Sequence, residues 1–220
     1  MESTGGEYAY AYGKGKLFSQ VGAGGYPHAL LVDSTGTIIY QGHPSGINEG
    51  LVAKAVETAL AVPLYEWPDD LKKAAKSLRK GDLGKALSAV EAKGEAHAVI
   101  AASLQKMVEG RVAAVQKAAD AGDWLAVKTS GETLADAVKG RPEADAVDAL
   151  LDLLKKGDAK DILKAQEKIE KIFDRDIKSK QYEGLQKKIN KIAEDFPANA
   201  AVQRDAERAQ GRLRKICGKK

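Results

Sequence analysis

The chain has 220 residues, 30% of them charged and 44% hydrophobic, with a net charge of +4 and a mean hydropathy of −0.36. That is too apolar for a disordered tail, and no uncharged apolar run approaches the roughly 18 residues of a membrane-spanning helix. A single cysteine, Cys217, excludes an internal disulfide, a dithiol redox centre within this sequence and a zinc site built from cysteines.

Composition shifts along the chain. Residues 1–62 hold 11 of the 22 glycines and 6 of the 12 Phe, Trp and Tyr residues, with 3 basic against 5 acidic side chains. Residues 63–220 hold 32 basic against 26 acidic side chains and are rich in Ala, Lys, Leu, Asp and Glu. The step falls near Pro63 and divides the chain into a front segment 1–62, a connector 63–68 and a back segment 69–220.

Met1 is followed by Glu, Ser, Thr and two glycines, without a cationic or apolar leader region, so no secretory signal is expected in this chain. Tyr8, Tyr10 and Tyr12 alternate with Ala, which predicts a strand with one aromatic face. Gly13 and Gly15 end it, and Lys16 to Val21 can form a short helix stopped by Gly22, Gly24 and Gly25. Tyr26 to Asp33 is an almost continuous apolar run, suited to a buried strand. Ser34-Thr35-Gly36 is a turn, and the β-branched run Thr37 to Gly42 completes a predicted hairpin. Asn48 then predicts a helix N-cap, with Leu51, Val52, Ala55, Val56, Ala59 and Leu60 at helical spacing.

Local motifs in this segment carry no cofactor or metal. His28 and His43 have no third ligand at useful spacing. Gly22-Ala23-Gly24-Gly25 leads into Pro27 and a strand, where a phosphate loop must lead into a helix. Gly13-Lys14-Gly15-Lys16 lacks the Ser or Thr of a nucleotide-binding loop.

The run Val21-Gly22-Ala23-Gly24-Gly25-Tyr26-Pro27-His28-Ala29-Leu30-Leu31-Val32-Asp33-Ser34-Thr35-Gly36-Thr37-Ile38-Ile39-Tyr40-Gln41-Gly42 resembles the second half of a thioredoxin-like domain. The similarity is to TlpA/ResA-like thiol-disulfide oxidoreductases and covers about residues 6–62. It implies the order strand, helix, strand, strand, helix, with Pro27 as a cis-proline and Tyr26–Pro27 as the loop that pairs with a substrate peptide. Read from the residues alone, Tyr26-Pro27 simply begins a strand. The resemblance also implies an extracytoplasmic setting. The half of the domain that would carry a Trp-Cys-x-x-Cys helix has no counterpart here, and exchange needs an accessible thiolate with a resolving partner. The chain is therefore expected to be redox-inert, either as the C-terminal part of a longer oxidoreductase or as a half-domain kept for structure.

Pro63-Leu64-Tyr65-Glu66-Trp67-Pro68 reads as a connector, with Tyr65 and Trp67 packing where the segments meet. Beyond it, helices are predicted over 68–80, 83–92, 95–120, 123–139, 143–155, 159–178, 180–195 and 198–216. Lys80-Gly81-Asp82, Ala121-Gly122-Asp123 and Lys156-Gly157-Asp158 repeat a joint in which Gly ends one helix and Asp caps the next. Their spacings of 41 and 35 residues resemble degenerate tetratricopeptide-type hairpins. The two long helices leave a coiled-coil arm as an alternative. Asp120/Asp123 and Asp174/Asp176 read as caps or solvated charge, and the basic end, Gly211 to Lys220, as a frayed terminus.

The expected fold is therefore an α+β start, a partial thioredoxin-like sheet with helices, followed by a larger all-α helical-hairpin domain, mainly α in total. The expected function is that of a thioredoxin-like protein without its dithiol, whose helical part or exposed sheet face binds a protein partner. The alternative is a non-catalytic helical scaffold. Mixed charges and few aromatics in the back segment speak against nucleic acid.

Overall fold

The computed structural model describes residues 27–33, 37–57, 59–174 and 176–219. The strand and short helix expected within residues 8–21, and Tyr26, lie outside the described residues.

Strands β1 (Ala29–Val32) and β2 (Ile38–Gly42) pair antiparallel, with Ala29 opposite Gly42 and Leu31 opposite Tyr40. A register irregularity separates Leu31 from Val32. Asp33 closes the hairpin: its amide donates to the Thr37 carbonyl at 3.0 Å, and its Oδ1 accepts from the Thr37 amide at 2.9 Å. Helix α1 (Glu49–Val56) follows, capped as expected by Asn48, whose Oδ1 accepts from the Leu51 amide at 2.9 Å. The side chain thus satisfies an amide that the first helical turn leaves unpaired.

The segment 63–68 lies against the helices that follow. Trp67 is buried and donates from Nε1 to the Val62 carbonyl at 3.0 Å, while Leu60, Val62 and Leu64 pack on the same core. Tyr65, expected to pack beside Trp67, is instead 81% exposed. It sits in the short 3-10 turn Leu64–Glu66, where Leu64 turns to the core and Tyr65 and Glu66 are exposed.

Eight helices complete the described chain: α2 (Lys72–Arg79), α3 (Leu83–Glu91), α4 (Ala98–Asp120), α5 (Trp124–Ala137), α6 (Pro142–Leu153), α7 (Gly157–Lys171), α8 (Tyr182–Asp195) and α9 (Ala200–Cys217). Amphipathic helices of this kind cannot hide their apolar faces singly, and here each lies against its sequence neighbour or the next but one. The chain is mainly helical with a small two-stranded antiparallel sheet near its start, the class expected.

Local differences from the expected helices have physical causes. Helix α7 stops at Lys171, not at 178, because the amides of Ile172 and Phe173 turn to the carbonyls of Ile169 and Glu170 in a tightened last turn. Helix α4 is no free coiled-coil arm, since it is enclosed by α3, α5 and α6. The basic end is not frayed: α9 continues to Cys217, with Leu213 and Cys217 buried, and Gly218 ends it in a left-handed cap. Of the three Gly-Asp joints, only Asp123 caps with its side chain, accepting from the Ala126 amide at 3.2 Å. Asp82 makes no capping bond, and Asp158 lies inside the first turn of α7.

Two apolar cores result. Helices α2 to α6 gather Trp67, Leu71, Leu87, Leu104, Val108 and Val127 into the first, and α7 to α9 gather Ile169, Leu185, Ile189, Val202, Leu213 and Cys217 into the second. Burying each large aliphatic side chain contributes about 1.5–3 kcal/mol, so these two clusters hold the helices in place.

Candidate functional site

The two residues singled out by sequence share no described surroundings. Pro27 is exposed and lies two residues ahead of β1, while Tyr26 falls outside the described residues. Of the pair set aside as metal ligands, His43 has a structural partner, as does His97 of the helical region. His43 Nδ1 accepts from the Ser45 amide at 3.2 Å and holds the turn before α1. His97 Nε2 lies 3.0 Å from Asp70, joining the start of α4 to the turn before α2. That hydrogen bond from His97 is the main cause that lowers the Asp70 carboxyl below its ordinary value. Among the described residues, no three His, Cys, Asp or Glu side chains converge as metal ligands.

A cleft of about 400 Å³ opens between α4 and α5 beside Thr37, lined among others by Arg111, Thr129, Ser130, Thr133 and Leu134. Burial pulls the Arg111 guanidinium below its ordinary range, and the carboxylate of Asp33 acts in the opposite direction. The hydroxyls of Thr129 and Thr133 donate to the helix's own carbonyls, at Leu125 (3.0 Å) and Thr129 (2.9 Å). Their oxygens therefore face the cleft as acceptors, beside a guanidinium balanced by a carboxylate. Such a lining can hold a polar group; it contains no nucleophile with an adjacent base.

The most developed polar cluster joins the two cores. Gln166 of α7, with no exposed surface, accepts from the Leu125 amide at 3.0 Å and donates to Asp123 at 3.2 Å and Asp205 at 2.8 Å. Arg204 donates to Asp123 at 2.6 Å and to Asp205 at 2.8 Å, and Asn199 donates to the Gly122 carbonyl at 3.4 Å. Burial lowers the Arg204 guanidinium, but its hydrogen bonds to Asp123 and Asp205 outweigh burial and leave the group raised. A second cluster surrounds Arg141 at the start of α6, which reaches Glu91 at 2.8 Å and Glu143 at 3.2 Å.

Reading the sequence as caps and solvated charge missed both clusters. The available signal was Gln166 itself, a polar residue lying on the Leu163–Ile169–Ile172 stripe at core spacing. Both clusters consist of charge pairs closed on one another, an arrangement that holds helices together.

Among the described residues, no helix is long and apolar enough to cross a membrane. Geometry and sequence together define a mainly helical protein with a hairpin–helix start. Comparison with protein-family models, with curated proteins and with solved structures found no match to this chain.

Proposed function

We propose that the chain is a partner-binding protein in which about residues 6–62 are the second half of a thioredoxin-like module, ending in strand, strand and helix, and the helical array carries the contacts to a protein partner. The supporting observation is the order and spacing of the front elements: Pro27 just ahead of β1, a tight antiparallel return through β2, and α1 opening on Asn48. In this reading Tyr26 and Pro27 form a peptide-contacting loop. Thiol-disulfide exchange requires two thiols, and the one cysteine here is Cys217, buried in the second core. The chain then contributes recognition, and any exchange chemistry belongs to cysteines outside this sequence.

Two measurements test the reading. Carbon-13 shifts of the Pro27 ring report its peptide isomer; cis is expected, and a trans bond overturns the thioredoxin assignment. An insulin-reduction assay on this chain is expected to show no turnover, whereas turnover abolished by Cys217→Ser overturns the assignment of exchange to other cysteines.

A second reading, a non-catalytic helical scaffold in which the hairpin is structural only, draws on a different observation. Thr37, at the start of the return strand, lines the cleft beside α4, and the Asp33 carboxylate acts on Arg111. A trans Pro27 favours this scaffold.

A further inference from the structure

We propose that the basic face at the end of α9 docks an acidic amphipathic helix of a partner protein. The inference rests on the reading of the helical array as the partner-binding element and names the chemistry of that partner.

The first observation is where the charge lies. Residues 63–156 hold 15 basic and 15 acidic side chains, whereas residues 157–220 hold 17 and 11. The positive excess of the helical region thus belongs to residues 157–220, and half of it, 5 basic against 2 acidic side chains, to α9 itself. Part of it is ordered into a line: Arg208, Arg212 and Lys215 recur at spacings of 4 and 3 on one face of α9. Lys219, just past the Gly218 cap, extends the line to about 16 Å at helical rise.

The second observation is that the line is built, not loose. The Arg212 guanidinium lies 4.3 Å from the centre of the Phe173 ring, and the Lys219 ammonium 5.9 Å from that of Tyr182. Those aromatic faces come from the α7–α8 connection and the first residue of α8, and hold two of the four cations in position. Arg208 and Lys215 are exposed, and among the described residues none of the four makes an ion pair. Elsewhere among the described residues of the same unit, Lys164, Lys171 and Arg204 are matched to a carboxylate while Lys160, Lys168, Lys187, Lys188 and Lys191 are not, so the row is set apart by its alignment on one face and its aromatic seats. An ordered row of unmatched cations is complementary to discrete carboxylates, which guanidinium groups bind in planar, paired fashion.

The surroundings favour a protein helix over other polyanions. Phe173 and Tyr182 each carry a cation on one ring face, which occupies the face turned to the row and leaves it no aromatic platform of its own for stacking bases. Ile216, 46% exposed beside Lys215, provides an apolar contact at the edge of the row. One such side chain is too little to anchor a membrane surface, but it suits the apolar edge of an amphipathic helix.

The test uses the full chain and fluorescence anisotropy with a labelled amphipathic peptide of Glu, Ala and Leu, about 20 residues long. Duplex DNA and phosphatidylserine vesicles serve as comparators. The peptide is expected to bind at low salt, and Arg208→Glu with Lys215→Glu to weaken it about tenfold or more. The control pair Lys73→Glu with Lys76→Glu, exposed on α2, is expected to change it less than about twofold. A circular-dichroism melt confirms that each variant folds, and Arg208→Gln with Lys215→Gln gives an intermediate loss. The proposal is overturned if the peptide fails to bind, if the control pair weakens it equally, or if DNA or vesicles bind more tightly through the same residues. Such a failure removes the acidic partner alone, because the Pro27 isomer and insulin readouts judge the parent reading independently.

Discussion

Arg204 donates to Asp123 at 2.6 Å across 81 residues of sequence, and this pair connects the two apolar cores of the molecule. Asp123 also caps α5 and accepts from the buried amide of Gln166. One carboxylate therefore ends a turn, starts a helix and joins two packed units. Because the pair is hydrogen-bonded on both sides, breaking it leaves charge without a partner, which costs more than the pair contributes when intact.

Gln166→Leu should uncouple the cores. It leaves the Leu125 amide and the carboxylates of Asp123 and Asp205 short of partners, at about 1–3 kcal/mol for each orphaned buried group. Urea unfolding is expected to lose about 3 kcal/mol, with the α7–α9 unit melting ahead of the first core. A single transition unchanged in midpoint counts against a coupling role.

Gly122→Ala should cost more than Gly81→Ala. Both glycines end helices at positive φ, +69° and +86°, where a side chain costs about 1–2 kcal/mol. A methyl group at Gly81 meets nothing within 4 Å, while at Gly122 it lies 2.5 Å from Asn199 Nδ2 and displaces the bond to the α9 cap. Thermal melts of the two variants should differ in that order.

Acid should remove the contribution of Glu143. Burial raises its pKa, but hydrogen bonds from Gln105, its own amide and Arg141 outweigh burial and hold it below the ordinary 4.5. A carboxyl depressed in the folded state stabilises fully above its unfolded value and stops doing so as pH falls through the folded one. The urea midpoint of the native chain should exceed that of Glu143→Gln by a constant margin from about pH 7 to about pH 5, and the margin should shrink below about pH 4. A margin independent of pH refutes the assignment.

Cys217→Ser should affect stability and nothing else. The thiol is 8% exposed among Leu213, Leu185 and the other side chains of the second core. A hydroxyl there is buried among apolar side chains without a hydrogen-bond partner of its own and costs about 1–3 kcal/mol. Urea unfolding is expected to register that loss.

Much of this architecture is legible residue by residue. Asn48 announces α1 because an Asx side chain can reach the amide three residues on, whatever surrounds it. The β-branched run after Gly36 announces β2, and the glycines at 81, 94, 122 and 140 mark helix ends that the backbone adopts at positive φ. Gly84 was not legible in this way. It looks like a weak point inside α3, yet an added Cβ would lie 3.1 Å from the Val138 backbone, so the glycine permits close contact between the ends of α3 and α5.

The basic end shows the same limit. Gly211 to Lys220 resembles a loose tail when judged by charge, because the decisive fact is that Leu213 and Cys217 meet Leu185 and Ile189 from a different helix. Only that packing turns the cations around them into an ordered face. The sequence by itself determined what depends on neighbours within one turn: caps, turns, helix and strand periodicity, and the charge step along the chain. The tertiary structure alone decided which polar residues are buried and paired, such as Gln166 with Asp205, and which cations remain unmatched on a surface. Pairings across 39 or 81 residues are set by the relative placement of whole helices, which no local pattern encodes.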